Sequence, residues 1–486
     1  MPLTTDFDPD LNGWYFRNWG EGPEFGWDLF RDSYLGINPT HDCVQAPLDC
    51  AFYEIFKTCA AGGNCGGMSL LALALFKYGG YMGFCSPASF YTGTSGPDRA
   101  DLHRAINIFQ ARQFSVGGIE NFMDVVDAGN LNNAEAAYAR IEEGLGSNNF
   151  AVLSLANGLF GDDAHTLIPY KCYSSGGTKY LELWDSNFPA DDNPGHYGSA
   201  NSRLVIHGPT DWEYFPNPLD ASPSPYPYRG SNMGWCFAIP MSLILPKDRH
   251  PFTLDLVFDA LQTVFLSGSG AAMSQISDEE GHTFYQTEKT VHLNRGDIET
   301  DPAKRLKGVM RWPWYGGAEK RTQPGELYFI RGAASRSPLK FTVSGTDYAF
   351  THFRSRNMIT LEARSERPMK DVIRIASTPH DLRQTVEVRS MDGSRVVNLR
   401  ALRTDEERGV WKSVEVKQAR LAQAAMRVRL VGALDDVRVE GIGKKVGFDL
   451  ELRERKNNRI KAKQYKRIAA EVSKPFVLGV KRTTKR

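Results

Sequence analysis

Three short stretches hold the side chains that could do chemistry. The first is Gly62-Gly63-Asn64-Cys65-Gly66-Gly67-Met68-Ser69, which runs into the apolar segment from Leu70 to Phe76. It sets a cysteine at the seam between a glycine-rich loop and a helix start. There the first-turn amides and the positive end of the helix dipole favour thiolate over thiol. The second, Gly161-Asp162-Asp163-Ala164-His165, sets a histidine at the start of a predicted strand. The third, Trp184-Asp185-Ser186-Asn187-Phe188-Pro189, lies at the end of the next one. A hairpin lays two such strands side by side, so His165 and Asp185 become neighbours across the ladder. A carboxylate in that position orients the imidazole, which can take a proton from a thiol brought up from elsewhere. Singly, each feature has a plain structural reading, because cysteine is often buried without any chemical role. The inference rests on their conjunction.

Those side chains need a helical half packed on a β half. The central helix is expected over 67–78, apolar on nearly every face and therefore buried on all sides. Further helices are expected over 98–113, with Asp98 as N-cap, over 119–128, stopped at Gly129, and over 133–145, capped by Asn132. Strand patterns follow at 150–155, 166–173, 180–184 and 203–207, and one or two more between Met233 and Leu245. Pro169 suggests an edge strand or a bulge. Ahead of these elements, residues 1–50 carry Trp14, Phe16, Trp19, Trp27 and Phe30 among other aromatic residues. They read as an irregular lead segment packed on the domain it precedes. A removable pro-segment is the other reading of that stretch.

The order of these roles, and the wording around them, resembles the papain-like cysteine peptidases, in particular bacterial members similar to the double-glycine-leader peptidases. Such proteins often carry a Cys-x-Gly-Met-Ser helix start, a His-x-x-x-Pro-Tyr strand and an Asp-x-Asn-x-Pro turn. This chain has Cys65-Gly66-Gly67-Met68-Ser69, His165-Thr166-Leu167-Ile168-Pro169-Tyr170 and Asp185-Ser186-Asn187-Phe188-Pro189. The resemblance covers roughly residues 15–245. It implies a papain-like fold, a Cys65–His165 pair, and Asp185 or Asn187 as third member. The chain departs from the pattern at two places. The family's glutamine about six residues before the nucleophile, an oxyanion donor, is here Cys59; Gln45 lies farther back, and Asn64 adjoins the nucleophile. Asn64 is therefore the oxyanion candidate. The aromatic residue that often follows the nucleophile is replaced by Gly66, which is expected to leave the floor of the cleft more open.

The expected architecture is an α+β papain-like domain over 1–248, followed by an all-β, sandwich-like accessory region over 249–452. Pro246 and Pro251 bracket the boundary. Short alternating runs at intervals of about ten residues fit one or two β modules, with a division near 355–368 if there are two. Residues 453–486 form a basic tail, with thirteen Lys or Arg against Glu454 and Glu471. The tail suits an anionic surface, although a solvated tail is the plainer reading.

Over 486 residues the formal net charge is only +1, so no global field points to nucleic acid. Seven cysteines without regular spacing do not read as a disulfide framework, and reduced thiols are the default. The start of the chain has neither a basic nor an apolar run, and no stretch approaches membrane-spanning length. Cytoplasmic residence, or export without a cleavable signal, follows as the expectation. No cofactor or metal is expected. The run Asp185, Asn187, Asp191, Asp192, Asn193 lacks EF-hand spacing, and His282, His292, His352 and His380 show no metal grouping. His196 and His207 are weaker substitutes for His165. The reading reached is a thiol hydrolase, foremost a peptidase acting on a peptide or protein, with the β region choosing the target or a protein partner. The same order of residues serves transglutaminases and deamidating enzymes acting on glutamine. A papain-like scaffold that has lost activity is the third reading, favoured by the missing upstream glutamine.

Overall fold

The computed structural model describes residues 2–19, 26–43, 46–60, 63–87, 97, 99–157, 162–188, 202–216, 228–232, 234–248, 262–268, 271–285, 306, 308–311, 326–331, 338–354, 357–378, 383–405, 410–431, 434, 436–456 and 459–479. Two compact units are present. The first comprises Met1–Asp42, Asp49–Pro251 and Trp312–Thr322; the second comprises Cys43–Leu48, Phe252–Arg311 and Gln323–Arg486.

The first unit is α+β. After strand β1 (Leu3–Thr4) come helices α1 (Pro9–Asn12), α2 (Trp27–Ser33), α3 (Pro47–Ala60), α4 (Cys65–Tyr78), α5 (Ala100–Arg112), α6 (Val116–Asp127) and α7 (Ala134–Ser147). Strands β2 (Ala151–Asn157), β3 (Asp162–Ser175), β4 (Thr178–Trp184), β5 (Ser202–Gly208), β6 (Asp211–Phe215) and β7 (Trp235–Pro240) follow, and α8 (Met241–Ile244) closes the unit. The sheet is antiparallel in the order β6-β5-β4-β3-β2-β7, with β1 added to β3. Alternate residues Leu153, Leu155, Leu167, Leu181, Leu183, Leu204 and Ile206 point into one core, which α7 covers with Tyr138 and Ile141. Each fully buried aliphatic side chain of this kind contributes about 1.5–3 kcal/mol.

Local chemistry explains where several elements begin and end. Ser115 accepts from the amide of Gly118, so α6 starts three residues before the predicted 119. Asn133, not Asn132, caps α7 by accepting from Ala136. Asp98, the expected cap of α5, lies outside the described residues. Pro169 sits at a bulge, between its partner Leu183 and the next pair, in a central strand and not at an edge. Helix α4 ends at Gly79 in the left-handed conformation that glycine adopts without strain.

Helix α4 is buried from Cys65 through Leu75. Its first turn lies so close to α5 that a methyl group on Gly66 would overlap the Gln113 side chain, and one on Gly67 would overlap the Ile106 carbonyl oxygen. Gly66 therefore faces a neighbouring helix. This corrects the expectation that it opens the cleft floor.

The second unit is built of antiparallel strands: β8 (Gln262–Ser267), β9 (Ala272–Ser277), β10 (Thr283–Tyr285), β11 (Val309–Arg311), β12 (Glu326–Ile330), β13 (Leu339–Arg354), β14 (Asn357–Thr378) and β15 (Arg383–Ser390), then β16 (Ser394–Asp405), β17 (Val410–Ala422), β18 (Ala425–Val431), β19 (Asp436–Ile442), β20 (Val446–Lys456), β21 (Arg459–Ala470) and β22 (Phe476–Gly479). The long pair β13–β14 is shared by two branches. Its 347–364 portion joins β8 and β16, and its 339–345 and 369–378 portions join β9 and β15. The bulge between Gly345 and Asp347 marks the division. There Arg395, fully buried, pairs with Asp371 at 2.7 Å and donates to the carbonyls of Gly345 and Thr346. Residues 357–378 form one continuous strand, and β21 and β22 lie within the basic tail.

Cys43 and Cys50 are disulfide-bonded, which corrects the expectation that all thiols are reduced. Cys65, Cys85, Cys172 and Cys236 are free. Among the described residues no helix is long and apolar enough to cross a membrane.

The packing of α4 on α5 gives an expected outcome. Gly67→Ala forces a methyl against backbone and should lower stability by about 1–3 kcal/mol. Gly79→Ala, a strained but spacious site, should cost about 1 kcal/mol. Urea unfolding of the two variants measures the difference.

Candidate active site

Cys65 opens α4. Gly63 holds a positive φ of 146° ahead of it, and the Asn64 carbonyl accepts the first helical bond from Met68 at 2.9 Å. The Cys65 amide, in the first turn, has no acceptor within the helix. The Gly67 amide is satisfied from outside, donating to Gln110 Oε1 of α5 at 2.8 Å. Asn64 is fully buried, yet neither its side-chain nitrogen nor its oxygen has a partner among the described residues.

His165 lies inside β3, opposite Leu155 of β2, not at the strand's first residue. Asp185 follows the last residue of β4. The hairpin brings His165 Nε2 within 2.6 Å of Asp185 Oδ1. The Cys65 side chain lies near enough to the imidazole to favour its charged form. With Nε2 committed to the carboxylate, Nδ1 is the nitrogen left for sulfur. All three side chains are buried: Cys65 is 2% exposed, His165 3% and Asp185 1%.

Asn187, the alternative third member, lies in the same turn. Its Nδ2 is 3.3 Å from His165 Nε2, and its backbone amide donates to Asp185 Oδ1 at 2.7 Å. A ring nitrogen that donates its proton to Asp185 cannot also accept from Asn187. The shorter, charge-assisted bond decides which contact prevails, so Asp185 holds the imidazole and Asn187 holds Asp185.

Three further residues complete the site, none of them marked by a motif in the sequence. Tyr214 of β6 donates its hydroxyl to Asp185 Oδ2. Tyr228 stacks against His165 with ring centroids 6.4 Å apart and planes 18° apart. Asn18, from the lead segment, spans both sides of the site. Its Oδ1 accepts from the Asn64 amide at 3.0 Å, its Nδ2 donates to Asn187 Oδ1 at 3.2 Å, and its own amide donates to the Ser186 carbonyl at 2.8 Å. Trp14 of the same segment donates to the Met68 carbonyl in α4 at 2.8 Å.

The charges follow from this geometry. Burial, the largest single influence on His165, would lower its pKa. The Asp185 charge and hydrogen bond, helped by Cys65, outweigh it, so the pKa is raised above the ordinary 6.5. Burial would likewise raise Asp185. The His165 charge and the bonds from His165, Tyr214 and the Asn187 amide outweigh it and hold the carboxyl below 3.8. Burial, then the Asp185 charge, drive Tyr214 far above the usual phenol range, so it remains a donor.

Other sequence candidates fall elsewhere. His207 is exposed, 3.3 Å from Thr178 Oγ1. His352 is buried against Gln262 Oε1 at 2.7 Å. Asp278, Glu280 and His282 do bring three ligand atoms within 4.8 Å of one another, a grouping the spacing did not suggest. All three lie in one turn, where His282 Nδ1 bonds Asp278. Gln45, Asp191, Asp192, Asn193, His196, His292, His380 and the Cys59 side chain lie outside the described residues. No protein-family model, curated protein or solved structure matches the chain.

The opposed shifts fix the sign of the pH response. His165 contributes stability that is complete below pH 6.5 and lost as pH rises through its raised pKa. Asp185 contributes stability present above pH 3.8 and lost as pH falls through its lowered pKa. NMR titration of the ring nitrogens should show an imidazolium through neutral pH. In Asp185→Asn the two largest raising influences are gone while burial still opposes the charge, so the titration should move down. An unchanged titration in that variant would mean that Asp185 does not hold the ring.

Proposed function

We propose that the chain is a papain-like thiol hydrolase, foremost a peptidase. The observation that supports this most is the buried imidazole of His165 bonded to the Asp185 carboxylate, with the Cys65 side chain close enough to favour its charged form. A buried histidine kept charged by a carboxylate, and kept beside a helix-tip cysteine, has no packing role that an apolar residue would not fill better.

In this mechanism the proton of the Cys65 thiol already rests on His165, so the pair is thiolate and imidazolium before substrate arrives, and the thiolate attacks the substrate carbonyl carbon. The carbonyl π electrons move to oxygen, and the oxyanion meets the Cys65 amide at the head of α4. The fully buried Asn64 side chain, without a partner among the described residues, supplies the second donor in place of the glutamine expected upstream. Collapse of the intermediate breaks the C–N bond, and His165 hands its proton to the leaving amine. Water, deprotonated by the same ring, then attacks the thioester. The carboxylic acid leaves, the proton taken from water stays on His165, and the thiolate–imidazolium pair is restored. Asp185 holds the imidazole in one tautomer and orientation throughout.

The glutamine-directed reading uses the same thioester with ammonia as first product. The inactive-scaffold reading leaves Cys65 without turnover. Incubation with a peptide library and with protein-bound glutamine, followed for new amino termini and for ammonia, separates the three. Cys65→Ser should abolish whichever product appears. Asn64→Ala should lower kcat by about 10²–10³ with little change in KM, as removal of one oxyanion donor does. A kcat unaffected in Asn64→Ala would remove Asn64 from the mechanism.

A further inference from the structure

Strand β15 of the second unit alternates strictly between a buried and an outward face, and its neighbours β14, β18 and β19 follow the same alternation over most of their length. Outward along them stand Arg374, Arg389, Arg427, Arg429 and Arg438, accompanied by Glu387 and Glu440. A face that only needed solubility would set opposite charges directly across from one another, and part of this one does: Arg374 faces Glu387, which faces Arg427, which faces Glu440. The rest does the reverse. Arg429 lies directly opposite Arg438, and Lys340 directly opposite Arg374. Like charges opposed across a ladder destabilise it. Among the described residues three carboxylates answer them, and Arg374 pairs with Glu279. Glu440 alone serves Arg438 at 2.6 Å, Arg427 at 3.5 Å and Arg429 at 3.8 Å. Glu387 serves Arg427 at 2.8 Å and Arg389 at 3.8 Å.

The same side chains enclose a concavity of about 430 Å³. Its lining includes the short Ala376 and Thr385, directly paired on adjacent strands, together with Arg374, Glu387, Arg427 and Arg429. Three guanidiniums and one carboxylate thus surround a space of small-molecule size. Among the described residues the lining holds no aromatic ring on which a base or sugar would stack. Guanidinium forks match the oxygens of phosphate and carboxylate in pairs, which an ammonium does not.

We propose that this concavity is a binding site for a compact polyanion carrying at least two phosphate or carboxylate groups. The inference does not depend on the chemistry of Cys65. The guanidiniums of Arg374, Arg427 and Arg429 bind the anion. Thr385 offers a hydroxyl donor beside them, and the like-charged pairs Arg429–Arg438 and Lys340–Arg374 are relieved on binding.

Calorimetry on the full chain with inorganic pyrophosphate, and separately with citrate, tests it. Binding of one or both is expected at millimolar or tighter Kd, weakening as salt is raised. Preference between the two probes tells phosphate recognition from carboxylate recognition. Arg429→Gln, an exposed residue whose pairing contact is only 3.8 Å, should weaken binding about tenfold without shifting the melting temperature. Arg374→Gln should act in the same direction, and Arg400→Gln, on the exposed face of β16, should not. Absence of binding by either probe up to about 10 mM would overturn the proposal. So would binding that is equal in Arg429→Gln, Arg374→Gln and the unaltered protein.

Discussion

A histidine whose pKa is raised and a carboxylate whose pKa is lowered, both at most 3% exposed, stand paired in the first unit. Taking two charges out of water costs several kcal/mol per ion, and their mutual attraction offsets this only when the remaining polar atoms are also satisfied. The surroundings of His165 and Asp185 meet that condition. The Tyr214 hydroxyl and the Asn187 amide take up the other capacity of the carboxylate, and the Tyr228 ring lies flat against the imidazole. Each donor comes from a different segment. The β3–β4 hairpin, β6 and the turn after Asp185 must all be in place before the pair is tolerable.

The lead segment is part of that condition. Asn18 joins the amide of the residue before Cys65 to the turn that carries Asp185 and Asn187. Trp14, fully buried, bonds the backbone of α4. Residues with these bonds belong to the site's frame. Close helix packing supplies the rest. Gly66 and Gly67 let α4 approach α5, and Gln110 then reaches the Gly67 amide and closes the helix end from outside.

Much of this frame was legible in the sequence because it is carried by local rules. The glycine-rich loop before an apolar run marked α4, and strand alternation with a Gly176-Gly177 turn marked the hairpin that joins His165 to Asp185. Residues such as Asn18, Tyr214 and Tyr228 were not legible. They act through contacts about 30 to 170 residues away in the chain, and an isolated Asn or Tyr has no periodicity to betray it. The short strand holding Tyr214 went unread for the same reason. The choice between Asp185 and Asn187 also needed coordinates, since both stand in one turn and only a 2.6 Å contact against a 3.3 Å one separates them. The Cys43–Cys50 bond escaped because an odd cysteine count without spacing argues against any pairing. In the β unit, alternation announced strands, but the sharing of β13 and β14 between two branches depends on a bulge at Gly345 that no pattern marks.

The central claim is that His165, oriented by Asp185, activates Cys65. Competitive alkylation by a small electrophile, quantified at each free cysteine by mass spectrometry at neutral pH, tests it most directly. Cys65 should react faster than the exposed Cys85 despite being buried, and should slow in both His165→Ala and Asp185→Asn while Cys85 is unchanged. A Cys65 that reacts no faster than Cys85, or that is indifferent to the loss of His165, would contradict the account and leave the first unit a scaffold.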